Sequence, residues 1–102
     1  MPKRIDATKG EIVLEIAALL GVPAPPMSTG STEPREIFLL IDKVLGLGID
    51  LKKDKPGLAR AIAEAAGYSW SPAFESRGST VTRDGLMMVL HAVLLFVGET
   101  EG

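Results

Sequence analysis

At 102 residues, with 46% hydrophobic and 24% charged positions, the chain is too short for two ordinary domains and too apolar for a disordered segment, which leaves one globular domain with one core. Cysteine is absent, excluding disulfides and thiolate metal centres. A net charge of −2 argues against a general polyanion binder, so any nucleic-acid contact has to come from a local patch.

The opening stretch, Met1 to Thr8, is polar and lacks the apolar segment of a signal peptide. Thr8 and Glu11 then form a capping-box pair, and Ile12, Val13, Ile16, Leu19 and Leu20 recur at spacings of three and four, predicting a first amphipathic helix. Gly21 stops it, and the three prolines between Val22 and Met27 prevent its continuation. A second helix is expected from an N-cap at Thr32, with Pro34 in its first turn and Glu33 and Glu36 at the positive end of its dipole. Its apolar stripe is Ile37, Phe38, Leu40, Ile41, Val44 and Leu45, and its wet side carries Arg35, Glu36, Asp42 and Lys43.

Gly46-Leu47-Gly48 ends the second helix, and Ile49 and Leu51 are expected to pin a linker to the core. Asp54 and Pro56 start a third helix that runs to about Ala66, with Leu58, Ile62 and several alanines facing inward. Gly67 closes it, and Tyr68 to Phe74 holds three of the five aromatic residues. Thr80 or Thr82 caps a fourth helix, Leu86 to Val97, which is almost without a polar face. Such a helix is either central to the domain or part of a self-association surface. It is interrupted by His91, read as a core or interface histidine, and is well short of the roughly 20 residues a membrane helix needs. A soluble, cytoplasmic protein with no membrane partner is the expectation, with a frayed tail over 98–102.

Two loops share a pentad. Ser28-Thr29-Gly30-Ser31-Thr32 is followed by Arg35, and Ser76-Arg77-Gly78-Ser79-Thr80 is followed, at the same distance, by Arg83. A shift of 46 residues matches Ile12 with Leu58, Ile16 with Ile62, Ala17 with Ala63, Gly21 with Gly67 and Pro26 with Pro72; after two extra residues, a shift of 48 matches the pentads and the following apolar stripes. The fold expected is therefore all-α, with four main helices arranged as two tandem helix-loop-helix repeats related by a pseudo-twofold. Repeat one covers about 8–46 and repeat two about 54–97.

A glycine among small hydroxyl residues before a helix offers converging N–H groups, hydroxyl donors and a positive dipole end, the combination that holds phosphate. Ser28 to Thr32 with Arg35, and Ser76 to Thr80 with Arg77, Thr82 and Arg83, are the candidate phosphate-binding residues. The plainer alternative is that the same residues form turns and helix caps, and Glu33, Glu75 and Asp84 would repel phosphate there. Tyr68 and Trp70 are candidates for base stacking or partner contact, against the alternative that a lone tryptophan plugs its own core. Lys52, Lys53, Lys55 and Arg60 form the densest basic cluster, either an extension of a phosphate face or a solvated surface.

Nothing assembles a catalytic centre. There is no cysteine nucleophile, no phosphate-loop lysine signature, and the one histidine stands far in sequence from an activating carboxylate. The expectation is a non-enzymatic chain with no cofactor or metal.

At Ser28 to Arg35 and Ser76 to Arg83, with Leu20-Gly21-Val22-Pro23 and Asp54-Lys55-Pro56 before them, the chain resembles small helical accessory domains attached to restriction-type endonucleases. That resemblance implies a DNA-recognition or accessory module whose cleavage is performed by a separate or fused nuclease domain. The rival expectation is a protein-interaction or homodimerisation domain using the fourth helix and the Tyr68–Phe74 loop.

Overall fold

The computed structural model describes residues 9–25, 34–76 and 80–98. Their architecture is helical: α1 (Lys9–Leu20), α2 (Arg35–Leu45), α3 (Lys55–Ala65) and α4 (Arg83–Phe96). A 3-10 turn (Pro72–Phe74) and a small antiparallel pair, β1 (Glu75–Ser76) with β2 (Thr80–Val81), lie between α3 and α4. The helices pack as neighbours, α1 against α2 and α4, and α3 against α2 and α4.

The three-and-four spacing of apolar residues explains one shared core. Ile12, Val13, Ile16 and Leu20 of α1, Ile37, Phe38 and Ile41 of α2, Leu58, Ala59 and Ile62 of α3, and Leu86, Val89, Leu90 and Val93 of α4 are buried in a single cluster. Removing each large aliphatic side chain from water contributes about 1.5–3 kcal/mol, and this burial is the main source of stability in a chain without disulfides. Ala59 and Ala63 of α3 are fully buried.

Positions matched by the 46-residue shift behave alike. Ile12 and Leu58, Val13 and Ala59, Ile16 and Ile62, and Ala17 and Ala63 are all buried. Both helices also end in the same motif. Gly21 and Gly67 adopt φ of 73° and 89°, conformations that cost a side-chain-bearing residue energy. Gly21 N–H donates to Ala18 O and Val22 N–H to Ala17 O; Gly67 N–H donates to Glu64 O and Tyr68 N–H to Ala63 O. These are the paired bonds of a Schellman cap, and Val22 and Tyr68 each fold back onto the core.

Several expectations are corrected. α2 starts one residue beyond Pro34, which itself occupies the N-cap without a side-chain cap bond. Proline fixes its own φ and biases the preceding residue toward extended structure, which sets the boundary there. Val44 is 44% exposed and Leu51 41% exposed, so neither joins the core stripe, whereas Ile49 does pack against it. The second pentad leads into a strand pair, which the turn residues alone do not announce. α4 is central, as one alternative holds, yet His91 is exposed rather than buried, on a narrow outer strip with Asp84 and Leu95. The capping pair at Thr8 lies outside the described residues.

Candidate functional site

The corner that joins the second pentad to α4 is built from the Schellman cap at Gly67 onward. Tyr68 and Trp70 are half-buried and packed on the core, so each spends part of its ring internally. Ser71 Oγ accepts from Ala73 N–H at 3.2 Å and starts the 3-10 turn. That turn brings Phe74 edge-on to Trp70, with ring centroids 5.1 Å apart and planes inclined by 76°. The indole N–H donates to Glu75 Oε2 at 2.9 Å, so this carboxylate has a local donor.

Beneath these rings lies Gly85, in the first turn of α4. A Cβ there would sit 2.8 Å from Phe74 O, 2.9 Å from Phe74 Cβ and 3.3 Å from Trp70 Cη2. Glycine is what permits the aromatic loop to rest directly on the helix.

From this base the chain turns through the strand pair, with Glu75 opposite Val81 and Ser76 opposite Thr80. Val81 is fully buried and anchors the hairpin. Thr82 N–H donates to Phe74 O at 2.8 Å, and Thr82 Oγ1 accepts from Gly85 N–H at 3.1 Å. Thr82 is thus the N-cap of α4, and Thr80 is a strand residue rather than a cap. Arg83 follows with its guanidinium 3.9 Å from the Asp84 carboxylate, its side chain 41% exposed and that of Asp84 76%. At such exposure this pair contributes about 0–1 kcal/mol to stability. Ser76, Thr80, Thr82 and Arg83 are therefore brought to one corner with Trp70. Arg77, Gly78 and Ser79, at the tip, lie outside the described residues.

The first pentad, Ser28, Thr29, Gly30, Ser31 and Thr32, also lies outside the described residues. Its trailing arginine is described. The Arg35 guanidinium donates to Lys53 O at 2.7 Å through Nη1 and to Leu51 O through Nη2, tying the start of α2 to the linker before α3. The same linker is held at its other end by Asp42, whose Oδ1 accepts from Gly48 N–H at 2.8 Å and Ile49 N–H at 3.2 Å. By its spacing alone, Asp42 reads only as a wet-side residue of α2.

A third feature adjoins that linker. Lys53, Gly57, Arg60, Ala61 and Glu64 line a groove of about 360 Å³ on the outer side of α3. Arg60 Nε donates to Glu64 Oε2 at 3.0 Å across one helical turn. The sequence groups Lys53 with Arg60 by charge but holds no signal for the concavity, which depends on the small residues Gly57 and Ala61 between them.

Among the described residues no cluster of three metal-ligating side chains occurs, and no helix is long and apolar enough to cross a membrane. Comparison of the chain with protein-family models, curated proteins and solved structures returns no match.

Proposed function

We propose that this protein is a non-catalytic, cytoplasmic DNA-binding accessory module that contacts backbone phosphates through its two Ser-x-Gly-Ser-Thr loops. The observation that carries the proposal is the repetition of the whole pentad with its trailing arginine, Ser28 to Arg35 and Ser76 to Arg83. A turn or a cap requires only a glycine or a hydroxyl, not the set. The identical caps at Gly21 and Gly67, and the packing of each repeat's helices against the other's, support a pseudo-twofold. Under it, the two loops approach the two strands of a duplex. A nuclease domain, fused or separate, is the partner the resemblance implies.

The described corner supports this reading in part. Arg83 is partly exposed at the start of α4, and Ser76 is exposed in β1. The Thr82 hydroxyl, by contrast, already serves the helix, which leaves phosphate contact to Ser76, Arg77, the loop N–H groups and Arg83.

An amide-shift titration with a mixed-sequence duplex tests the proposal. Shifts gathered at 28–32 and 76–83 at low salt support it, and no response at low salt rejects it. Replacing Arg77 and Arg83 together by Ala should weaken binding and flatten its dependence on salt without unfolding the chain.

One observation favours a second reading. Leu95 is 39% exposed on the outer strip of α4, with Met88 half-buried and His91 exposed on the same strip, a mixed face suited to a protein partner or a second copy. Sedimentation at high concentration separates the two: a concentration-dependent dimer insensitive to salt favours association through α4.

A further inference from the structure

Arg35 changes the meaning of the basic cluster. In the sequence it belongs to the first pentad, and Lys52, Lys53, Lys55 and Arg60 form a separate group more than fifteen residues on. In the structure its guanidinium is hydrogen-bonded to the carbonyls on either side of Lys52, and Lys53 in turn lines a groove together with Arg60. Three cations, Arg35, Lys53 and Arg60, are thereby linked from the start of α2 to the middle of α3, in a chain whose overall charge is negative.

We propose that this groove seats the sugar-phosphate backbone of a nucleic-acid strand; the inference rests on the DNA-binding reading. Gly57 and Ala61 line the groove with no side chain and a methyl group, and the Lys53 stem packs over Gly57, where an added Cβ would meet Lys53 Cβ at 2.9 Å, Asp54 Oδ1 at 3.0 Å and Lys53 Cδ at 3.3 Å. Lys53 and Arg60 are the two cations that line it. Three carboxylates share the region, and each has a local partner. Asp50 Oδ1 accepts from Lys52 N–H at 3.0 Å, Asp54 Oδ1 accepts from Gly57 N–H at 3.0 Å, and Glu64 holds Arg60. Glu64 orients the Arg60 guanidinium through Nε and leaves its terminal nitrogens as the donors a phosphate takes. Arg35 acts as a positioning residue: by donating to the carbonyls of Leu51 and Lys53 it holds the Lys53 backbone beside the groove.

The test measures binding of a fluorescein-labelled, mixed-sequence duplex across a salt series for the full chain and for Lys53→Gln/Arg60→Gln, Ala61→Glu and Arg83→Gln. Both neutralised positions are exposed, so the double variant should fold normally. Its affinity at low salt should fall about tenfold, and the slope of log affinity against log salt should shrink by about 1–2, one for each phosphate that is no longer neutralised. Ala61→Glu, which adds a carboxylate to the groove lining, should do the same. If Arg83→Gln weakens binding while the groove variants match the parent in affinity and slope, the groove assignment is overturned and the DNA reading stands. If the parent chain itself binds no duplex, both fail. Poly-L-glutamate displacing the duplex as well as an unlabelled duplex does would overturn the phosphate assignment in favour of an acidic protein partner.

Discussion

The starts of α2 and α4 are aligned by sequence and solved differently by structure. At α4, Thr82 caps the helix through Gly85 N–H, and Gly85 lets the aromatic loop lie against the backbone. At α2, Pro34 occupies the cap position with no side-chain bond, and the position matching Gly85 is Ile37, which is fully buried. One half fills the space with an aliphatic side chain and the other with a folded-back loop. The arginines diverge too: Arg35 braces a linker, whereas Arg83 pairs with its neighbour Asp84. A repeated sequence thus preserves the packing frame while the corners specialise.

Mutations at matched positions can break this comparison. The largest effect is expected for Ile37→Ala, which empties a fully buried site and should cost about 3–4 kcal/mol in urea unfolding. Gly85→Val should cost about 2–3 kcal/mol by the opposite route, because the backbone oxygen of Phe74 cannot move aside for a new side chain. A neutral outcome would show that the aromatic loop does not rest on α4. Thr82→Ala should lose about 1 kcal/mol as a cap is removed, while Pro34→Ala should stay within about 0.5 kcal/mol; equal losses would erase the contrast between the two starts. The smallest stability effects are expected at the arginines. Arg35→Gln should lose roughly 0.5–1 kcal/mol with its exposed bonds to the linker carbonyls, and Arg83→Gln should be close to neutral in unfolding while weakening duplex binding.

The frame is legible because helix periodicity and glycine stops are local signals. Ile12, Val13, Ile16, Phe38, Ile41, Leu58 and Ile62 fall where their spacing puts them, and Gly21 and Gly67 end their helices in matching caps. The strand pair is hidden because two residues on each side are too few to show alternation, and serine, glycine and threonine read equally well as a plain turn. His91 is misplaced by sequence reasoning because α4 exposes only a thin strip, flanked by apolar residues on every turn. The role of Arg35 is hidden for a different reason: its acceptors are backbone carbonyls 16 and 18 residues away, and a carbonyl leaves no mark in a sequence. Gly85 carries a usable signal, a glycine in the first turn of a long apolar helix, where a packing contact with another segment is a common cause.

The indole at position 70 is the sole tryptophan, and it touches the hairpin through Glu75, the 3-10 turn through Phe74 and α4 above Gly85. The corner is consequently self-reporting: intrinsic fluorescence excited at the indole band registers whether the second loop is seated on its helix, with no dye attached. An emission shift on adding a ligand would mark this corner as the part of the molecule that responds, while an unmoved spectrum during binding would send attention to the opposite half.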